Sequence, residues 1–318
     1  MSPSAGMSPS AGAAPRALRP PARAGYFADP FLVRAPDGSY AAYGTQPGGE
    51  QDAPVFEVLL SPDLTSWRSG GPVLQRVDPA LGDEYWAPEV CRRDGAWWMY
   101  YSVGRGIHGH HIRVARSDDI AGPFIDLGVD LTPGDSFAID AHPFQDPDGQ
   151  WYLYYARDVL DAERPGTHLA VGRLDDPAVL TDVRPALAPN SDWQVYERGR
   201  RMYDRVLDWH TLEGPSVVKR RGRYWMTFSG GAWTGPGYAV AWATAPNPLG
   251  PWTHAPAASA PVLSTGSSLV GPGHNSLAVG PEGGDVIAFH SWSDDGLRRE
   301  LHIAPIDFTE NGPVVDLG

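Results

Sequence analysis

Short apolar runs alternate with polar turns along nearly the whole chain, and helical periodicity is almost absent. One unit recurs: an opening run, often with a proline, then a glycine-containing turn, then an aromatic-rich strand. Asp29-Pro30-Phe31-Leu32-Val33 passes through Pro36-Asp37-Gly38 to Tyr40-Ala41-Ala42-Tyr43-Gly44. Trp86-Ala87-Pro88-Glu89-Val90 passes through Arg93-Asp94-Gly95 to Trp97-Trp98-Met99-Tyr100-Tyr101. Asp140 to Phe144 leads through Asp146-Pro147-Asp148-Gly149 to Trp151-Tyr152-Leu153-Tyr154-Tyr155. Glu213 to Val218 leads through Arg221-Gly222 to Tyr224-Trp225-Met226-Thr227-Phe228, and a looser copy runs from Gly273 through Glu282-Gly283-Gly284 to His290. Asp-Gly between apolar runs predicts a hairpin, because both residues tolerate the left-handed backbone such turns require. A third strand follows each hairpin, as in Ile112–Arg116 and Tyr238–Trp242, and then a Pro/Gly turn and a short fourth strand, as in Gly122-Pro123-Phe124-Ile125 and Gly250-Pro251-Trp252-Thr253.

Counted on Pro30, Pro88, Pro143, Pro215 and Asn275, the repeat advances by 58, 55, 72 and 60 residues. Five units of four antiparallel strands predict an all-β five-bladed propeller over residues 25–318, with its site in the central funnel. The innermost strand of each blade lines the channel, so Asp29, Trp86, Asp140, Glu213 and His274 are expected around one end of it. The 72-residue step is the longest, and its extra segment, about Asp158 to His210, is expected to wall that funnel. Residues 1–24, rich in Ala, Pro and Ser and carrying a duplicated Met-Ser-Pro-Ser-Ala-Gly, read as a disordered tail. They lack the continuous apolar segment of a secretion signal, which points to a cytoplasmic protein.

A net charge of −13 argues against nucleic acid or an anionic membrane as partner, but not against a neutral sugar. The 12 Trp and 13 Tyr exceed what a core alone usually needs and offer faces for sugar rings, although pairs such as Trp97-Trp98, Tyr100-Tyr101 and Tyr154-Tyr155 read as core. The single cysteine, Cys91, rules out an intrachain disulfide and reads as a buried, inert thiol. Three carboxyl groups at matching points, Asp29, Asp140 and Glu213, are the main chemical signal. Brought into one cavity they repel, which drives their pKa values apart and suits them to acid and base roles. Trp233, in a glycine-rich loop, is a stacking candidate. The cluster His108, His110, His111 fits no preferred zinc spacing, so His108 is expected either on a funnel-rim loop near sugar hydroxyls or on a merely exposed loop.

Ala28-Asp29-Pro30, Tyr85-Trp86-Ala87-Pro88-Glu89, Ile139-Asp140-Ala141-His142-Pro143-Phe144, Glu213-Gly214-Pro215 and Gly273-His274-Asn275-Ser276 occur in that order. In this the chain resembles the inverting glycoside hydrolases of family 43, which act on arabinose- and xylose-containing polysaccharides. The resemblance implies that Asp29 is the general base, Glu213 the general acid and Asp140 the carboxylate that orients the acid and tunes its pKa. It also implies Trp86 as a wall of the sugar pocket and Arg299, with Arg298 as competitor, as an arginine reaching the carboxylates. His274 would stand beside a water-coordinated calcium or sodium ion on the axis. No cofactor is implied for the chemistry itself.

Several relatives acting as β-xylosidases carry a further C-terminal β-sandwich, and this sequence stops at Gly318, which favours an α-L-arabinofuranosidase; the long third-to-fourth connection, placed to close one end of the groove, favours exo action. A β-xylosidase or another pentoside or galactoside hydrolase remains the alternative. Two rivals stand outside that reading. A retaining fructosidase or transferase would need its carboxylates roughly 5–5.5 Å apart. A non-catalytic sugar-binding propeller would have no use for three acids at blade starts.

Overall fold

The computed structural model describes residues 21–46, 55–257, 259, 261–266 and 268–318. Strands β1 (Ala28–Arg34), β2 (Tyr40–Thr45), β3 (Val55–Ser61) and β4 (Arg68–Leu74) form an antiparallel sheet in chain order. So do β5 (Glu84–Arg93), β6 (Ala96–Arg105), β7 (His108–Ser117) and β8 (Ile125–Asp130). A nine-stranded sheet follows. It contains the run β9 (Ala138–Gln145), β10 (Trp151–Val159), β11 (Gly166–Asp176), β12 (Val179–Leu187), then β13 (Val195–Met202). Its second half is β14 (Arg205–Arg220), β15 (Arg223–Gly230), β16 (Ala239–Ala245) and β17 (Thr253–His254). Parallel pairing of Gly166 and Thr167 with His210 and Thr211 joins the halves. The last sheet is β18 (Gly273–Val279), β19 (Asp285–Trp292), β20 (Arg299–Thr309) and β21 (Gly312–Val315).

The chain is all-β: among the described residues there is no α-helix, only short 3₁₀ turns at Pro79–Leu81 and Asp192–Gln194. No helix is long and apolar enough to cross a membrane. The first strands of the four-stranded runs touch in a closed circuit: β1 packs on β5 and β18, β5 on β9, β9 on β14, and β14 on β18.

The inner strands of each sheet are buried on both faces, and this explains the doubled aromatics. Successive strand residues point to opposite faces, so Tyr101 joins the cluster shared with Tyr43 and Val58 while Tyr100 joins Leu153 and Tyr155. Tyr154 turns the other way, towards Val217, Met226 and Phe228. Trp225 and Val240 pack on Ile287 and Phe308, and Leu32 and Tyr40 on Ala288 and Leu301. Each cluster therefore glues one run of strands to the next. Cys91 is buried in one of them, and burial pushes its thiol pKa up, as expected for an inert residue.

The fourth strands begin at Ile125 and Thr253, just after the expected Pro/Gly turns. Two expectations need correction. The insertion is narrower than 158–210, since β11 and β12 are ordinary third and fourth strands. The added piece is β13 with the start of β14. Finally, the counterpart of Pro30 in the third unit is Ala141, not Pro143, as the register breaks below establish. Residues 1–20 of the expected tail lie outside the described residues. Ala22 N donates to Leu301 O at 2.7 Å, and Arg23 meets Glu57 at 2.8 Å.

A first strand lining a channel has one edge without a ladder partner, and its N–H groups must bond elsewhere. Side chains of neighbouring first strands supply the acceptors. Ser276 Oγ accepts from Leu32 N at 3.0 Å and donates to Pro30 O at 2.9 Å. Ser216 Oγ accepts from Leu277 N at 3.1 Å, and His142 Nε2 from Val217 N at 3.0 Å. That bond places the His142 proton on Nδ1, which lies 2.7 Å from Glu89 Oε2. Ser276→Ala leaves a buried N–H and a carbonyl unpaired and is expected to destabilise by about 1–3 kcal/mol. Urea unfolding measures it, and an unchanged midpoint would contradict this role.

Candidate active site

Every first strand carries one residue in the left-handed region: Asp29 (φ 49°), Ala87 (46°), Asp140 (60°), Gly214 (55°) and His274 (44°). Each sits where the register with the second strand breaks, so each is a β-bulge that re-aims the backbone. Four are not glycine and hold strained backbone of order 1–3 kcal/mol each. These five are the equivalent positions. Trp86 and Glu213 lie one residue earlier, a shift the sequence repeat did not resolve.

The bulge N–H groups are capped across unit boundaries. Thr45 Oγ1 accepts from Ala87 N at 2.9 Å, Ser102 Oγ from Asp140 N at 3.2 Å, and Ser229 Oγ from His274 N at 2.7 Å. His290 Nδ1 accepts from Asp29 N at 3.0 Å, and Asp140 Oδ2 accepts from Gly214 N at 2.9 Å. The last bond ties one expected acid to the backbone beside another.

Asp29 is largely buried, which alone would raise its pKa, but Arg299 first, and then His274, His290 and a hydrogen bond from Thr45, together outweigh this and hold it below the usual carboxylate range. Arg299 Nη1 lies 3.1 Å from Asp29 Oδ1, and its Nη2 donates to Tyr26 Oη at 2.6 Å. Burial lowers the pKa values of His274 and His290, so both are neutral near pH 7 and Arg299 is the charge holding Asp29 ionised. Glu213 behaves oppositely. Burial pushes it up to about 7, a hydrogen bond from Tyr238 opposes the rise, and the Asp29 charge adds to it. Tyr238 Oη donates to Glu213 Oε1 at 2.6 Å. Asp140 is raised by burial, then by Glu213 and Asp29, while the Gly214 N–H favours its ionised form. The buried pair Asp140 and Glu213 thus retains a proton towards neutrality beside an ionised Asp29.

Glu213 opens into a small cleft of about 70 Å³, lined also by Trp86, Phe137, Ile139, Asp158, Thr167 and Trp233. Its far wall is the β13–β14 hairpin, through Tyr196, Arg200, Met202, Trp209 and Thr211. The Arg200 guanidinium lies 4.7 Å from the Tyr196 ring centroid and 5.2 Å from that of Trp209. Trp86 stacks on His110 with ring centroids 3.7 Å apart, and His110 Nε2 is anchored 2.7 Å from Gly106 O. Trp233 lies over Arg299, 4.5 Å from centroid to guanidinium, and stacks on Trp292. Trp86, Trp233, Arg299 and the three acids therefore gather at one end of the ring of first strands.

His108 does not line this cleft: it is exposed, and its neighbour Ile107 takes the lining position. His110 is buried under Trp86, and His111 Nδ1 lies 3.0 Å from Thr132 O and 3.2 Å from Asp130, so the three histidines diverge. Arg298 pairs with Asp295 and Glu300 at the surface, which leaves Arg299 as the arginine of the site. Nδ1 of His274 lies 3.5 Å from Asp29 and 3.8 Å from Asp140. Among the described residues no group of three or more His, Cys, Asp or Glu could hold a metal ion, so the side chains here do not fit direct coordination.

Tyr238, Tyr26, Thr45 and His290 escaped the sequence reading. Tyr238 ends the Gly235-Pro236-Gly237 turn, and its position depends on Gly273: a Cβ there would lie 1.9 Å from the tyrosine ring. Only that glycine pair hints at the contact.

Glu213 titrates higher in the folded protein, about 7, than its ordinary 4.5, so the native state holds an extra proton between those values. Stability from this group is present below about 4.5 and is lost as pH rises towards 7. Glu213→Gln removes the ionisation, so its stability relative to wild type is expected to climb from pH 5 to pH 8. Thermal melts across that range test it, and a flat difference would contradict the burial of a titrating Glu213.

Known proteins share this architecture. The β-D-galactofuranosidase of Aspergillus niger is 28% identical over 316 residues, covering 93% of this chain and 83% of that one. The extracellular exo-α-(1→5)-L-arabinofuranosidase of Streptomyces avermitilis is 25% identical across 83% of this chain, which spans only 54% of that protein. The crystal structure of a thermostable family-43 glycoside hydrolase superposes with a TM-score of 0.78 at 29% identity, covering 91% of this chain and 92% of that one. The sequence profile of glycosyl hydrolases family 43 matches residues 18–314, and the chain belongs to that family.

Proposed function

We propose that this protein is a five-bladed β-propeller hydrolase that removes terminal α-L-arabinofuranosyl residues with inversion. The observation that carries the reading is the opposed poise of two buried carboxyl groups, Asp29 held ionised by Arg299 and Glu213 held protonated towards neutrality. Asp29 takes the proton from an attacking water. Its depressed basicity suits a late proton transfer, when bonding to the sugar has already made the water acidic. Glu213 protonates the departing oxygen, with Tyr238 fixing its other carboxylate oxygen. Asp140 holds the Gly214 N–H and so the backbone beside the acid. Inversion requires Asp29 and Glu213 to stand roughly 6.5–9.5 Å apart with water between.

Exo action is supported by the smallness of the cleft, about 70 Å³, and by the hairpin residues Tyr196, Arg200, Met202 and Trp209 that wall it. A second reading has its own support. The Aspergillus niger relative is a β-D-galactofuranosidase, and a β-D-galactofuranosyl ring has the arrangement of an α-L-arabinofuranosyl ring with one extra hydroxymethyl arm. Fold alone does not choose between them.

The p-nitrophenyl α-L-arabinofuranoside is expected to be hydrolysed faster than the β-D-galactofuranoside and the β-D-xylopyranoside. Glu213→Gln should lower kcat by about 10²–10⁴-fold, and NMR of the first product should show the inverted anomer. A Glu213→Gln enzyme as fast as wild type would remove the acid assignment, and a retained anomer would remove the mechanism.

A further inference from the structure

Four of the five capping side chains occupy one structural position, the residue of the second strand paired with the residue just before the bulge. Thr45 pairs with Ala28, Ser102 with Trp86, Ser229 with Glu213 and His290 with Gly273. Each reaches across to the bulge N–H of the next unit. The fifth such position is Ala156, paired with Ile139 and wholly buried. It has a methyl group where the others have an acceptor. Gly214 N–H, which this position faces by the same pattern, donates instead to Asp140 Oδ2.

We propose that Ala156 is a positioning residue: by offering no acceptor, it leaves Gly214 to Asp140 and thereby locks that carboxylate to the backbone next to Glu213. A hydroxyl at 156 would satisfy Gly214 with a neutral group. Asp140 would then lose its one N–H donor and turn towards His274, its neighbour at 3.8 Å. The peptide that aims Glu213 would no longer be tied to the third acid. The inference rests on Glu213 being the general acid.

Ala156→Ser, compared on two α-L-arabinofuranosides, tests it through the leaving group. A 2,4-dinitrophenolate departs with little protonation, whereas an alkoxide needs the acid. The expected loss in kcat/KM is tenfold or more for the methyl glycoside and less than threefold for the dinitrophenyl glycoside. An equal loss on both, or no loss on either, would overturn the proposal.

A second comparison needs no turnover. Asp140→Ala leaves the Gly214 N–H buried without a partner, and adding Ala156→Ser should refill the cap and raise Tm by about 2–4 °C. In the wild-type background the same serine should leave Tm unchanged or lower it. The same direction in both backgrounds would overturn the proposal even if Ala156→Ser alone were poorly folded. An active Glu213→Gln enzyme would instead bring down the underlying acid assignment and leave the melting comparison standing.

Discussion

The left-handed bulge at the head of each first strand is the constraint from which the site follows. It turns one peptide N–H out of its own sheet, into a place where water is excluded and no ladder partner exists. An unpaired N–H there would be about as expensive as a lost hydrogen bond with its desolvation uncompensated. The neighbouring unit must therefore supply an acceptor, and each junction between units becomes a specific polar contact as well as a greasy one. Hydrophobic burial brings the units together, and the caps fix their rotation about the shared axis. A carboxylate conscripted as a cap, as Asp140 is, loses the freedom of a surface acid and gains a defined direction.

That arrangement also explains the charge distribution. Asp29, Asp140 and Glu213 are buried side by side, and one guanidinium, Arg299, reaches only the first of them directly. The histidines between them are pushed towards neutrality by burial and by Arg299, so they contribute shape and hydrogen bonds rather than countercharge. With one cation against three acids, full ionisation is electrostatically disfavoured, and the proton settles on the pair farther from the arginine. The asymmetry among the three carboxyl groups is thus a matter of which one the arginine touches. Tyr26 and Trp233 hold that guanidinium from its two sides.

Much of this was legible in the sequence because it is local. Asp-Gly turns between aromatic strands state the hairpins outright, and their recurrence states the repeat. The three acids could be found because each opens a unit. Their exact equivalence could not. A proline follows the left-handed residue at Asp29, Ala87 and Gly214, but alanine and asparagine follow Asp140 and His274, so a count on prolines slips in the third unit. The caps were illegible because Thr45, Ser102, Ser229 and His290 look like ordinary strand residues until neighbouring units are side by side. The β13–β14 hairpin hid for another reason. Its turn is Tyr203-Asp204, with φ of 51° and 58°, a conformation usually announced by Asn-Gly. Bulky residues there gave no turn signal.

Strand β14 is a single piece of 16 residues. It starts in the hairpin that walls the cleft, carries Trp209, Thr211 and Glu213 in succession, and ends at Arg220, clamped to Asp285 at 2.6 Å. The cleft wall and Glu213 are therefore neighbouring parts of one continuous strand, held at its far end by that ion pair. A distortion introduced in the hairpin is carried along unbroken backbone to the peptide of Glu213, whereas a change in the loop bearing Ile107 reaches the same cleft without passing through that strand. Wall and carboxyl group shift as one rigid piece.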